Sequence, residues 1–238
     1  MSIRWDKVQV DGNTMGVYTA VPDLPGPLPC VVVAQHGPGH DNTIQDVVQR
    51  LHREGYVAVA PALYHRQPKE VDPKISRVTL LKDNEVIADM NAALAHAKSV
   101  ATISRAGVTG FCMGGRVAYL MASANPEFKA SVVFYGGNTM KSWGENQGPT
   151  PFERSKHIGC PVLGLFGVED TNPSPDDVKK IDAELTRLGK WHEFHTYQDT
   201  GHAFCNFLAA DRYRDRAAKA GWGEMLAFFN LNLKQGKA

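Results

Sequence analysis

The stretch AGVTGFCMGGRV, residues 106–117, decides the fold of this chain. Its apolar first half, which ends at Phe111, has the length of a buried strand, and the residues after it carry apolar side chains at helical spacing. Only Cys112 is left to form the turn between them, with Gly110 and Gly114 two positions away on either side. Side chains at those two positions would crowd the neighbouring strand and helix. We therefore expect a strand, a strained turn and a helix in immediate succession.

Similar units recur on both sides of this stretch. Further apolar runs of strand length lie at 30–36, 56–63, 130–136 and 161–167, and a further strand is predicted at 191–197. Amphipathic helices are predicted at 41–54, 84–99, from 174 or 175 to 188, and at about 211–229. The first thirty residues instead alternate around Asp11-Gly12, which favours a hairpin. The sequence predicts an α/β fold, a doubly wound and mostly parallel sheet with helices on both faces, in one domain spanning residues 1–238.

Composition and charge narrow the range of partners. Lys and Arg number 26 against 25 Asp and Glu, a formal net charge of +1, so no strong field favours nucleic acid or an anionic membrane surface. No stretch approaches the roughly 18 apolar residues that a membrane span requires, and the N-terminus has no apolar signal-like region. We expect a soluble, cytoplasmic protein, a monomer or homodimer, whose partners are small molecules.

Cys112 carries the chemistry that the fold-deciding stretch indicates. A cysteine in a sharp turn between strand and helix matches a nucleophile elbow in which the thiol takes the place of the usual serine. The N-terminus of the following helix favours the thiolate through its dipole and its free amide donors. A buried structural cysteine at a helix entry is the alternative, and the short pattern alone leaves that alternative open.

Two further residues lie where partners of such a nucleophile belong. Asp170 and His202 each follow a predicted strand, so both are expected at the carboxyl edge of the sheet beside Cys112. The chain order of nucleophile, acid and histidine is that of α/β-hydrolases. Glu169 is the competing acid, but Asp170 directly precedes the turn. No histidine or cysteine spacing indicates a metal site, and nucleophilic attack by a cysteine with these two partners requires no cofactor.

Over nearly its whole length the chain resembles the dienelactone hydrolase family, which includes carboxymethylenebutenolidases. The motifs that carry the resemblance are Ala34-Gln35, the segment 55–64, the elbow 110–115, Phe134-Tyr135-Gly136 and Gly201-His202-Ala203-Phe204. The resemblance implies an α/β-hydrolase fold and a catalytic triad of Cys112, Asp170 and His202. It also implies an oxyanion hole formed by the backbone amides of Gly37 and Met113.

The resemblance further implies that the substrate is bound by His36, Arg77, Tyr135 and Asn206, and two of these depart from the family. Dienelactone-cleaving members have a glutamate where this chain has His36, and an arginine where it has Asn206. Loss of both the glutamate and the arginine avoids leaving one charged side chain without its partner in a cleft. Arg77 is a candidate for the remaining carboxylate-binding arginine. His36, which opens a His-Gly-Pro-Gly loop, either orients that loop or contacts Cys112 and tunes its pKa.

These observations predict a hydrolase that cleaves a small ester or lactone through a thioester intermediate on Cys112. The departures at positions 36 and 206 favour a neutral substrate over an anionic dienelactone. Two alternatives stay open: the same triad acting on a non-carboxyl ester such as an organophosphate, and a noncatalytic hydrolase-fold protein that binds a small ligand.

Overall fold

The computed structural model describes residues 2–144 and 148–235 and contains one mixed sheet. Eight strands lie in the order β1-β2-β4-β3-β5-β6-β7-β8. Their bounds are β1 Ser2–Val10, β2 Asn13–Val21, β3 Leu28–Ala34, β4 Val57–Pro61, β5 Ile103–Phe111, β6 Phe128–Phe134, β7 Val162–Gly167 and β8 His192–Tyr197. Strands β3 to β8 run parallel, whereas β1 and β2 form the antiparallel hairpin predicted around Asp11-Gly12, and β2 pairs antiparallel with β4.

Five helices cover the two faces of this sheet. They are α1 Asn42–Arg53, α2 Asp83–Val100, α3 Met113–Ala124, α4 Pro175–Arg187 and α5 Asp215–Phe229. Side chains of α2, α3 and α4 pack on one face, and those of α1 and α5 pack on the other. Strand β3 shows why both faces are apolar: Val32 belongs to the first core and Val31 and Val33 belong to the second. This arrangement confirms the predicted doubly wound sheet.

The last helix begins later than the sequence predicts, at Asp215 rather than near residue 211. Residues 211–213 form a turn closed by Ala209, whose carbonyl oxygen accepts from the amides of Arg212 and Tyr213. Arg214 is extended and donates its amide to Phe204, which ties this segment back to the loop after β8. Asp215 then supplies a carboxylate to the first turn of the helix, where the dipole favours negative charge.

The parallel strands bring the loops of interest to one edge of the sheet. Chain segments that follow β3, β5, β6, β7 and β8 all leave from the carboxyl ends of these strands. A loop-rich segment, 138–156, also starts there and leads into a short 3₁₀ helix, Glu153–His157, while residues 145–147 lie outside the described part of the chain. In the described residues, none of the helices is both long enough and apolar enough to span a bilayer.

Candidate active site

Cys112 occupies the turn between β5 and α3 with φ 57° and ψ −116°, an unfavourable backbone conformation for a side-chain-bearing residue. The two flanking glycines permit this turn because the backbone is in close contact with itself. A Cβ on Gly110 would lie 2.1 Å from the carbonyl oxygen of Gly114, and one on Gly114 would lie 2.3 Å from that of Ala34. The crowding expected from the sequence is therefore present. The turn that these glycines permit raises Cys112 above the edge of the sheet.

Asp170 and His202 meet at the same edge. The Nδ1 atom of His202 lies 2.8 Å from Oδ2 of Asp170, whose residue is only 3% exposed. The other carboxylate oxygen of Asp170 accepts from the amide of Asn172 at 2.8 Å, so both oxygens have partners. Glu169 is exposed, which leaves Asp170 as the acid that contacts the histidine.

His202 also lies beside Cys112, and the two groups shift each other's ionisation. Burial opposes the charged form of both side chains. The hydrogen bond and the positive charge of His202 nevertheless hold the pKa of the Cys112 thiol below its usual value. Hydrogen bonds with Asp170 and Cys112 raise the pKa of His202 to about 10. The two shifts act in the same sense and favour the thiolate of Cys112 beside the imidazolium of His202.

Two backbone amides face the sulfur of Cys112. The amides of Met113 and Gly37 both donate toward it, and both contribute to the lowered thiol pKa. The Gly37 amide is oriented by a tight turn in which the amide of Gly39 donates to the carbonyl oxygen of His36 at 2.9 Å. Gly39 adopts φ 105°, which favours glycine. Donors arranged in this way are suited to stabilise an oxyanion formed next to the sulfur.

His36 lies beneath this turn and is 3% exposed. Its Nε2 atom is 2.8 Å from Oδ2 of Asp41, a close contact that lacks the alignment of a good hydrogen bond. Asp41 also caps α1 by accepting from the amides of Thr43 and Ile44. Burial lowers the pKa of His36 although Asp41 opposes that shift. These contacts join the loop to α1 and favour the loop-orienting interpretation of His36.

Arg77 and Asn206, two of the predicted substrate-binding residues, are occupied by contacts within the protein. The guanidinium of Arg77 donates to the Gln67 side chain and to the carbonyl oxygens of Pro68 and Lys69, at 3.4, 3.1 and 2.6 Å. The Oδ1 atom of Asn206 accepts from the hydroxyl of Thr43 at 3.0 Å and from its own loop. Both side chains thus fasten loops that surround the site.

Tyr135 lies behind His202 rather than in open solvent. Its backbone has φ 38°, its residue is 2% exposed, and its ring centre is 5.3 Å from that of His202 in an edge-to-face arrangement. Its hydroxyl hydrogen-bonds to Cys205, a neighbour that the sequence did not single out. Burial raises the pKa of Tyr135 well above its usual value, so the hydroxyl stays protonated.

Tyr64 is a second neighbour that the sequence analysis did not assign to the site. Its hydroxyl donates to the carbonyl oxygen of Gly37 at 2.7 Å and lies 3.4 Å from Sδ of Met113. The only sequence signal was its position directly after the strand at 56–63, within the segment 55–64. Among the described residues, no cluster of three or more His, Cys, Asp or Glu side chains is arranged to hold a metal ion.

Comparison with known proteins identifies similar sequences and a similar fold. The sequence profile of the dienelactone hydrolase family matches residues 15–233. An Escherichia coli protein named "Putative carboxymethylenebutenolidase" is 34% identical over 226 residues, which cover 92% of this chain and 83% of that protein. A Bradyrhizobium protein named "Probable 2-oxo-3-(5-oxofuran-2-ylidene)propanoate lactonase" is 30% identical, over 98% of this chain and 96% of that protein.

A crystal structure from Klebsiella pneumoniae, titled "Putative Dienelactone Hydrolase", shares the fold. It superimposes with a TM-score of 0.86 at 33% sequence identity, over 96% of this chain and 99% of that one. The superposition confirms the predicted α/β-hydrolase fold.

Proposed function

The chain belongs to the dienelactone hydrolase family and is a carboxymethylenebutenolidase-like hydrolase, and on that premise we propose that it cleaves small neutral esters or lactones through a covalent thioester on Cys112. Lactone cleavage is the reaction named for the Bradyrhizobium relative, which matches almost the full length of both chains. The sequence resemblance and the geometry around Cys112 support the same reaction class.

The observation that carries this proposal is the contact between Cys112 and His202 at the elbow. A lowered thiol pKa and a raised imidazole pKa together favour a reactive thiolate beside an acid that can donate a proton. The contact of Asp170 with Nδ1 of His202 directs the other ring nitrogen, Nε2, toward the sulfur. Hydrogen-bond donors for the developing charge are supplied by the amides of Gly37 and Met113.

The proposed reaction proceeds in two steps. The thiolate of Cys112 attacks the ester carbonyl, and the negative charge on the carbonyl oxygen is stabilised by the two amides. The tetrahedral intermediate collapses as the carbon–oxygen bond to the alcohol breaks and His202 donates its proton to the departing oxygen. A water molecule, deprotonated by His202, then attacks the thioester. The acid is released, and the proton now on His202 restores the starting ion pair with the Cys112 thiolate.

The charges around the site support a neutral substrate, because neither Arg77 nor position 206 offers a free cation that could pair with a substrate carboxylate. Arg77 donates to acceptors of its own loop, and position 206 carries an asparagine whose oxygen is bound by Thr43. Near His36, the carboxylate of Asp41 adds negative charge. An anionic dienelactone would therefore lose hydration of its carboxylate and gain little compensating attraction.

The test compares p-nitrophenyl acetate with a carboxylate-bearing dienelactone, using the wild type and Cys112→Ala. We expect the wild type to hydrolyse the neutral ester with the higher kcat/KM, and Cys112→Ala to fall to the background rate on both substrates. Cys160→Ala, which removes a buried thiol whose pKa is raised to about 12 by burial, serves as the control and should retain activity. Undiminished hydrolysis by Cys112→Ala would reject the cysteine mechanism. A preference for the dienelactone would reject the neutral substrate class.

A further inference from the structure

The hydroxyl of Tyr64 lies against both residues whose amides face Cys112. It donates to the carbonyl oxygen of Gly37 at 2.7 Å, and its oxygen is 3.4 Å from Sδ of Met113. Gly37 follows β3 and Met113 follows β5, so the two halves of the proposed oxyanion hole belong to separate segments of chain. Tyr64, which follows β4, makes a contact with each of them.

The backbone around Tyr64 holds its ring in this position. Leu63, the preceding residue, donates its amide to Oε1 of Gln35 at 3.1 Å, which fixes the chain after β4 beside the chain after β3. The ring of Tyr64 is next to Gly39, where a Cβ would lie 3.8 Å from ring carbons. The guanidinium of Arg77 lies 6.0 Å from the ring centre. The hydroxyl is therefore directed into the oxyanion loop.

The bond to Gly37 completes the restraint of that loop. The carbonyl oxygen of His36 accepts from Gly39, and this fixes the peptide plane that also contains the amide of Gly37. The next peptide plane carries the Gly37 carbonyl group, which accepts from Tyr64. With both planes held, the Gly37 amide cannot rotate away from the sulfur unless a hydrogen bond breaks. Preorganised donors of this kind cost no reorganisation when the oxyanion forms.

We propose, on the basis of the function proposed above, that Tyr64 is a positioning residue that keeps the oxyanion hole aligned for attack by Cys112. Its single hydroxyl proton is used in the bond to Gly37, so it acts through the loop and does not touch the substrate. Burial, with a contribution from the negative charge of Cys112, raises the pKa of Tyr64 to about 12. The hydroxyl consequently remains a donor throughout the neutral range.

Tyr64→Phe tests this role because it removes the hydroxyl and keeps the ring. Loss of one complete oxyanion donor typically costs ~10²–10³ in kcat, so loosening one should lower kcat on p-nitrophenyl acetate by roughly 10- to 100-fold. We expect KM to change by less than about 3-fold, because the bond acts on the transition state and not on substrate binding. Tyr119→Phe is the matched control, since it removes a buried hydroxyl that contacts Ser155 away from the elbow.

The rate of Cys112 alkylation by iodoacetamide separates oxyanion alignment from thiolate formation. Alkylation needs the thiolate but forms no oxyanion, and Gly37 is the smallest of the causes that lower the thiol pKa, after His202 and Met113. Tyr64→Phe should therefore alkylate within about 3-fold of wild type while its ester turnover falls further. Both rates are normalised to the folded fraction of each variant, measured by circular dichroism, because Cys112 of unfolded protein is also alkylated. The proposal is overturned if kcat of Tyr64→Phe stays at the wild-type level, if alkylation and turnover fall together, or if Tyr119→Phe loses as much turnover. Hydrolysis by Cys112→Ala would instead reject the proposed function itself.

Discussion

Cys112 lies in the elbow and Cys205 lies in the loop that carries His202, and their surroundings shift their thiol pKa values in opposite directions. Burial raises the pKa of Cys205, and the hydrogen bond from Tyr135 does not reverse that shift. Burial also opposes ionisation of Cys112, yet contact with His202 and two backbone amides lowers its pKa. The comparison teaches that proximity to the histidine loop does not make a thiol reactive. A cationic partner and convergent donors are required.

The backbone is packed more closely around Cys112 than around Cys205, although both regions contain a residue with positive φ, Cys112 at 57° and Ala203 at 63°. The Cys112 elbow is a strained turn whose glycines are in contact with neighbouring backbone. The loop that contains Cys205 is packed less closely, since a Cβ on Gly201 would meet only the carbonyl oxygen of Glu169 at an ordinary 3.8 Å. Strain stored at the elbow is compatible with a site that must present a side chain for chemistry.

The largest expected effect concerns the acid that orients His202. Asp170→Asn should lower kcat by roughly 10³-fold or more. The asparagine side chain carries no negative charge to stabilise the imidazolium, and it favours the wrong tautomer of His202. The pKa of His202, now raised to about 10, should fall, and Cys112 should then become more like Cys205. Steady-state hydrolysis of p-nitrophenyl acetate measures the loss. Glu169→Gln alters the exposed neighbouring carboxylate and should retain activity within about 2-fold; equal losses in the two variants would contradict the assignment of Asp170.

The next effect concerns how closely the backbone is packed at the Cys112 elbow and in the loop that contains Cys205. Gly114→Ala should lower the free energy of unfolding by about 3 kcal/mol, because the new Cβ would overlap backbone oxygens of Ala34 and Gln35 at 2.3 and 2.5 Å. Gly201→Ala should cost less than about 1 kcal/mol, since its Cβ meets ordinary contact distances. Urea denaturation of both variants gives the two values. Similar losses would show that the elbow is not the more tightly packed region.

A third prediction compares the two thiols directly within one molecule. Iodoacetamide should alkylate Cys112 about 10²-fold faster than Cys205 at neutral pH, because alkylation requires the thiolate. The rate at Cys112 should rise with pH and reach its plateau below the usual titration range of a thiol, since its pKa is lowered. The rate at Cys205 should still be rising above that range, since its pKa is raised. Peptide mass spectrometry at a series of pH values follows both residues, and overlapping pH profiles would remove the distinction.

The smallest effect is expected at Cys205 itself. Cys205→Ser keeps a hydroxyl that can bond to Tyr135, and turnover of p-nitrophenyl acetate should stay within about 3-fold of wild type, because the Cys205 thiol is not ionised at working pH. A loss of 10-fold or more would mean that the bond between Tyr135 and Cys205 supports His202 more strongly than this comparison implies.

The order of strands and helices could be predicted because buried parallel strands have continuous apolar runs, as β3 and β7 do. The meeting of Cys112, Asp170 and His202 at one edge could be predicted because each follows a parallel strand of the sheet. The start of α5 was missed because the turn at 211–213 is set by the distant backbone of Ala209 and Phe204.

Contacts of loop side chains could not be read from the sequence. Arg77 looked available for a substrate carboxylate, but the fold surrounds its guanidinium with acceptors of its own loop. Tyr64 gave no chemical signal because its partner is the backbone carbonyl of Gly37, which no residue letter records. The sequence allows two roles for His36, and the contact with Asp41 that favours one of them arises only in the folded loop. Such roles depend on loop geometry, which periodicity does not encode.

Trapping of the acyl intermediate tests the central claim most directly. The wild type is quenched in acid during turnover of p-nitrophenyl acetate, digested, and examined by peptide mass spectrometry for one added acetyl group. We predict that the acetyl group is found on the peptide that contains Cys112, forms within the burst of p-nitrophenol release, and is absent from the peptide that contains Cys205. Turnover with an unlabelled Cys112 peptide, or with the acetyl group on Cys205, would contradict the proposal that Cys112 is the nucleophile.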